Sequence, residues 1–562
     1  MTTVRSFDPS GSSVTTGPYG QLLHPQQLDQ LRVIAPQMAS VRPGVWCVVG
    51  NGLSNQTFIE GPDGIIAVDT GESVEEMTAA LALLRKHTDR PVVAVIYTHF
   101  HYVAGTAAID GAGDGHLDVV GHERIVANIA RTGGEIAPAY GRGLVHQFGI
   151  RLPESGPDAL VHVGLGAAFR NPEHAPFTNG FVPPTVTVAE PTTLTIAGLT
   201  VEITPAPSDA DDSVTLWLPE LDTAVHNLVW PALFNVFAIR GEEYRDPRVL
   251  LSGMDHLLAL GAGHLVGTHG PPLRGTDDIR RRVTAARDAI QFLWDQTVRG
   301  LNRGWTSDEL AARVRLPDHY DDDYLTSERY GVAEHHVRQI HNGIQGWFDG
   351  DEAKLFPLPP AERAERLIDG FGGRDTVRQR CRRALAADDL RWAAELGSWL
   401  VRSDDASDDD RRLLADVLRA IGYRSPAANI RNWCLTRALD LDGTVPLDRH
   451  RMHRLRAPSV AADPAAALRV LRVMLDPDRA AGIDHHVAVV VDGEPLGGLH
   501  VRNEVACPTD GVGATATLIT TSNGWVEVAT LRRTVADLIA TGDAEVEGDR
   551  DALGVVFACF AP

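Results

Sequence analysis

The sequence predicts an α/β protein in three parts, and three observations carry that reading. Short β-branched runs alternate with Gly, Pro and Asp turns from about residue 40 to 275, helical patterning takes over from about 276 to 440, and strands return near the C-terminal end. The first strand-like runs are Val45–Val49, Gln56–Ile59, Gly64–Val68, Pro91–Tyr97, Thr193–Ile196, Val201–Thr204 and Val214–Leu218. Helical stretches at Val74–His87 and Val249–Ala259 lie between some of them, so this region mixes sheet and helix. The Arg-rich and Ala/Leu-rich runs Thr376–Ala387, Arg391–Val401 and Arg411–Ile421 have the amphipathic helical repeat. Acidic Ser403–Asp410 predicts a solvated loop with a helix N-cap. Polar, proline-containing Asp440–Pro464 reads as a linker, after which Val487–Val491, Gly498–Val501 and Ala514–Ile519 with two helical runs make a small α+β domain.

Composition narrows the function classes. The 562 residues include 52 Lys plus Arg against 74 Asp plus Glu, a net charge of −22 that repels phosphate backbones and anionic lipid. Nucleic acid is therefore an unfavourable partner. The five cysteines are scattered and never form a CxxC pair, which argues against a disulfide framework or a zinc ribbon and fits a reducing compartment. Met1–Ser10 lacks an apolar signal core and no run approaches the ~18 apolar residues of a membrane span, so a cytoplasmic location without a membrane span is expected.

Thr98-His99-Phe100-His101 carries the chemistry. Residues i and i+2 of an extended segment share a face, so a strand running into His-x-His would aim two imidazoles at one point, as a metal pocket requires. Tyr102-Val103-Ala104-Gly105 then supplies no further ligand where a two-metal site would want an acid and a third His. Half of a dinuclear site is present and half is lost.

Gly44–Asn55, Thr57–Asp69 and Arg90–His99 resemble the opening strands of the metallo-β-lactamase fold, an αββα sandwich, in the form that the type III alkylsulfatases carry. Tyr330–Val332, Gly346–Gly350 and Pro357–Pro360 resemble that family's all-α dimerisation domain, and Leu475–Ala480 with Asp537–Gly548 its sterol-carrier-like C-terminal domain. The resemblance implies domains at 1–290, 291–442 and 460–562 and an antiparallel, twofold homodimer. It also implies a ligand set. His99 and His101 match the family's first pair, Asp209 stands where its first Glu does, His226 (or Asn227) where the second Glu does, and His269 matches the distant His. The family's Asp-His pair is Val103-Ala104 here, so one divalent metal is expected, zinc first, with iron or manganese as alternatives. Asp211 and Asp212 are near enough to replace Asp209, and Asp69 resembles an acid that fixes the ligand loop. Arg240 resembles the arginine that grips the sulfate, and Asn235 matches a family Asn. Tyr102 beside the metal reads as a hydrogen-bond donor, a filler for the vacant metal position, or core packing. The pairs His335-His336 and His485-His486 fall in the other domains and read as exposed or structural.

The first functional reading is thus an alkylsulfatase-like metallohydrolase with a reduced, mononuclear site acting on a small molecule with anionic and apolar parts. The second is a mononuclear iron or manganese redox enzyme on the same scaffold, and the third a non-catalytic dimeric binding protein for amphipathic ligands.

Overall fold

The computed structural model describes residues 6–112, 117–448 and 455–560. The chain forms two compact units, one of residues up to Ala127 together with Gly143–Pro446, the other of Asn128–Arg142 together with Leu447 onward.

The first unit is built on two sheets. One has seven strands in sequence order: β1 (Gln37–Arg42), β2 (Val45–Val49), β3 (Gln56–Gly61), β4 (Gly64–Val68), β5 (Val92–Ile96), β6 (Asp118–His122) and β7 (Val186–Val188). It runs antiparallel through β4 and parallel from β4 to β7. The other has six: β8 (Thr192–Ile196), β9 (Leu199–Pro205), β10 (Val214–Leu218), β11 (Thr223–His226), β12 (His264–Gly267) and β13 (Leu273–Arg274), antiparallel except for the parallel pair β11 and β12. Every residue of β2 and β4 is buried, which an apolar run tolerates only when both faces are covered. Cys47, Ile59, Val68 and Ile96 of one sheet and Val201, Ile203, Leu216 and Val225 of the other make a common core. Helix α1 (Val74–Leu84) buries Met77, Ala80 and Leu84 against the first sheet, while α2 (Pro247–Ala259) and α3 (Thr276–Leu301) pack Leu250, Met254, Ile279 and Val283 with Ala224 and Leu265 of the second. The layers are helix, sheet, sheet, helix, as the sequence predicts.

The remaining helices include α4 (Ala333–Gln345), α5 (Arg374–Ala386), α6 (Leu390–Arg402), α7 (Asp408–Arg424) and α8 (Ala428–Leu441). They belong to the same unit as the sheets, because α3 leaves the sandwich and packs along α4. The acidic segment differs from its expected solvated state at its two ends, where Ser403 and Asp410 are buried. Ser407 caps α7 in a capping box, but Asp410 accepts from Arg374 at 3.0 Å and Arg378 at 2.6 Å. Burial opposes its charge, yet Arg378 and the Ser407 N–H hold its pKa down to about 2.

The second unit carries a five-stranded sheet backed by helices around Trp525, Leu538 and Phe560. Within the expected linker Asp440–Pro464, Ala457–Ala462 is helical and residues 449–454 lie outside the described ones. No helix among the described residues is long and apolar enough to cross a membrane.

Buried neutral histidines give the first unit an acid-sensitive core. His162 donates from Nε2 to the Gln27 carbonyl at 3.0 Å and accepts the Gly164 N–H at Nδ1 at 2.9 Å, and burial lowers its pKa to about 3. The unfolded chain takes up that proton near pH 6.5 and the folded chain only near pH 3, so stability is fully present above 6.5 and falls as pH drops below it. His162→Gln is expected to remove about 1.4 kcal/mol of that loss per pH unit below 6.5. Urea midpoints at pH 5 and 7 for both proteins check it.

Candidate metal centre

The site lies at the carboxyl ends of parallel strands, where side chains of the following turns converge. His99 follows β5, Asn227 follows β11, His269 follows β12, and Asp209 sits on the loop between β9 and β10. The His-x-His spacing does not act through an extended strand as expected. β5 ends at Ile96, and Phe100–Tyr102 is a single 3₁₀ turn that folds His101 back toward His99. Only glycine fits just beyond it, since a Cβ on Gly105 would stand 2.0 Å from the Thr70 carbonyl.

His99, His101 and Asp209 come together. His99 Nε2 and His101 Nδ1 are 3.0 Å apart, His101 Nδ1 and Asp209 Oδ2 3.2 Å, and His99 Nε2 and Asp209 Oδ1 3.8 Å. Metal bonds of 2.0–2.1 Å in a tetrahedron imply ligand separations of roughly 3.3 Å, so these three atoms fit a divalent ion. They form the one group of three or more such side chains among the described residues with ligand atoms this close, all within 4.8 Å.

The surroundings fix the ligands. Thr98 Oγ1 donates to Asp69 Oδ2 at 2.7 Å and so accepts the Nδ1–H of His99 at 2.9 Å, leaving the His99 Nε2 lone pair directed at the cluster. Asp69 also accepts from the Thr98 backbone N–H at 2.8 Å, the loop-fixing place expected for it. Burial lowers the His99 pKa to about 3, which keeps the imidazole neutral as a ligand must be. Burial alone would raise the pKa of Asp209; the neighbouring His99, His101 and Arg245 hold it well below the usual range. Asp211 is drawn off by Arg124 at 2.6 Å.

Two expected ligands stand outside this three-residue group. His226 turns its Nδ1 to the backbone N–H groups of Leu228 and Val229, at 3.0 and 3.3 Å, because the chain leaves β11 in a tight turn. Its neighbour Asn227 faces the cluster instead, donating to Asp209 Oδ1 at 2.6 Å while accepting from Trp230 Nε1 at 3.1 Å. His269 donates Nδ1–H to the Leu53 carbonyl at 2.9 Å and buries an unpartnered Nε2, outside the three-residue group. The Tyr102 ring packs edge-on against both His99 and His269, at centroid distances of 5.1 and 5.4 Å.

A second set of polar groups borders the first. Asn235 is fully buried with neither amide atom partnered. His336, expected to be exposed or structural, is buried, accepts the Phe237 N–H at Nδ1 at 3.2 Å, and so keeps an unpartnered Nε2–H. A Cβ built on Gly331 would meet Asn235 Oδ1 at 2.5 Å and His336 Nε2 at 3.2 Å, so both side chains border one point. Arg245 donates to the Asn235 carbonyl at 2.5 Å and leaves Nε and one terminal nitrogen unpartnered. Arg240 instead donates from Nε and Nη2 to Glu242 Oε1, at 2.9 and 2.6 Å, and that oxygen lies 4.0 Å from His101 Nε2. Sequence reasoning missed Glu242, Arg245 and His336. The first two lie in a charged stretch that reads as surface ion pairs, and the third on a helix in the region read as a separate domain.

The comparisons with known proteins agree with this architecture. Residues 49–102 match the metallo-beta-lactamase superfamily and residues 306–444 the alkyl sulfatase dimerisation family. A linear primary-alkylsulfatase from a Pseudomonas species is 33% identical over 90% of this chain and 98% of its own length. An (R)-specific secondary-alkylsulfatase, also from Pseudomonas, is 30% identical over 95% of this chain and 82% of its own. The solved structure of a stereoselective inverting sec-alkylsulfatase from Pseudomonas superimposes with a TM-score of 0.84 at 26% identity, covering 99% of this chain and 93% of that one. By its sandwich, its helical region and these relatives, this chain belongs to the alkylsulfatases, metal-dependent hydrolases of the metallo-β-lactamase superfamily.

Proposed function

We propose that the protein hydrolyses sulfate monoesters of amphipathic molecules at a site holding one divalent ion on His99, His101 and Asp209. The single observation that carries this is the 3.0 to 3.8 Å spacing of those ligand atoms, beside which the Tyr102 ring packs edge-on against His99 and His269. Bound there, the ion supplies Lewis acidity and lowers the pKa of coordinated water. The protein's own groups do the rest. Asn235 Nδ2, His336 Nε2–H and the open nitrogens of Arg245 are buried donors without partners, which suits the oxygens of an anionic head group. Arg240, five residues beyond Asn235, adds a second guanidinium. Asn227 holds Asp209, and Thr98 holds His99, in the orientation the ion requires.

The tail has a place beside these donors. A cavity of about 600 Å³ is lined by Phe237, Ile239, His335, Ile430 and Trp433. Two of its lining residues lead to the head-group donors, since the Phe237 backbone N–H donates to His336 Nδ1 and Ile239 precedes Arg240 in the chain, while Glu334, Arg338 and Arg391 give the same cavity a charged side. An alkyl or aryl chain of small-molecule size fits that volume.

Protein purified without added metal should contain one zinc per chain and release sulfate from dodecyl sulfate until treated with chelator. Two ions per chain at full occupancy would overturn the mononuclear reading. Two imidazoles and a carboxylate also suit non-haem iron, so iron together with oxygen consumption would turn the assignment to a redox enzyme.

The working form in this reading is a homodimer. Trp347 and Phe356 are 68% and 88% exposed within the segment that matches the dimerisation family, flanked by exposed Ile344 and Leu355. Light scattering should give twice the 60.7 kDa chain mass, and the double change Trp347→Glu with Phe356→Glu should give the monomer.

A further inference from the structure

We propose that Glu242 sets the charge of the head-group site, so that it accepts a monoanionic sulfate ester and rejects a dianionic phosphate ester. This rests on the head-group reading above and deepens it. Glu242 is a carboxylate placed where an anion is to be bound, which is costly unless it serves that binding. Its side chain is 5% exposed and Arg240's is 7%, and a single oxygen, Oε1, takes both Nε–H and Nη2–H of the arginine. The same oxygen stands 4.0 Å from His101 Nε2, an atom buried without a hydrogen-bond partner. Glu242 is thus held between Arg240 and the metal ligand and is not free to swing into solvent.

The charge count follows from the chemistry of the two esters. Arg240, Arg245 and Glu242 together present one net positive charge. A sulfate monoester carries one negative charge, whereas a phosphate monoester carries close to two at neutral pH and has nearly the same tetrahedral shape. An ion on His99, His101 and Asp209 attracts the more highly charged ester more strongly, so discrimination against it has to come from the protein. Glu242 supplies the repulsive element. In a buried site its charge facing the second phosphate charge is worth at least about tenfold in affinity.

The test uses two ligands that are not hydrolysed, octyl sulfonate with one charge and octylphosphonate with two at about pH 9. Calorimetric titration of the metal-loaded protein should show tighter binding of the sulfonate by about tenfold or more. Glu242→Gln should erase that preference through tighter phosphonate binding, with metal content equal to wild type. Glu242→Asp should keep it. A wild-type protein that binds both ligands equally overturns the proposal without recourse to any variant, and so does an unchanged preference in Glu242→Gln. Binding of neither ligand overturns the head-group site itself, and this inference with it.

Discussion

Replacing His101 by alanine is expected to empty the metal centre and to lower sulfate release from dodecyl sulfate by about 10³-fold or more. With His101 gone, His99 and Asp209 remain 3.8 Å apart as a two-ligand site, and no other His, Cys, Asp or Glu among the described residues forms a three-ligand group with them. Asp209→Asn should act nearly as strongly for a different reason. It keeps the side-chain volume beside Asn227 but removes the one negative charge among the three ligands. The informative contrast is His226→Ala. A ligand loss there would match the order of residues in the sequence, whereas the geometry, with Nδ1 committed to the Leu228 and Val229 N–H groups, predicts full metal content and a modest loss of stability. Elemental analysis of the three purified variants beside wild type checks all three outcomes, and equal metal in His101→Ala would remove the basis of the proposed site.

That contrast also marks how far the sequence could be read. Strands such as Val45–Val49, Gly64–Val68 and Val214–Leu218 are continuous apolar or β-branched runs bounded by turn residues, a local signal that survives folding unchanged, and they occur with those limits. His99 and His101 are two positions apart, so nearness in the chain guarantees nearness in space even though a 3₁₀ turn, not a strand, joins them. His226 and Asn227 show where such reasoning stops. One residue of offset at the end of a strand turns a side chain to the opposite side, and nothing local in Val225-His226-Asn227 says which of the two faces the metal. Arg245, Glu242 and His336 were beyond reach for a further reason. What distinguishes them is burial without a partner, or pairing out of contact with solvent, and both are properties of the assembled interior rather than of charged or polar letters in a row.

Arg245→Met is expected to separate stability from function. A guanidinium buried among Trp230 and Phe234, at 5.9 and 6.0 Å from their ring centroids, with two nitrogens unpartnered, is a poor way to stabilise a core. Burial lowers its pKa, and Asp209 only partly opposes that. Methionine fills a similar volume without a charge to desolvate, so the thermal midpoint of the metal-loaded protein should stay level or rise by a few degrees. The kcat/KM for dodecyl sulfate should fall by about 10²- to 10³-fold, because the head group loses a charged donor in a water-poor site. Metal content should remain at the wild-type level, which distinguishes this loss from that of His101→Ala. A structural arginine would give the reverse pattern, a lowered midpoint with activity per folded molecule preserved. The direction of the stability change therefore decides whether Arg245 is kept for the substrate or for the fold.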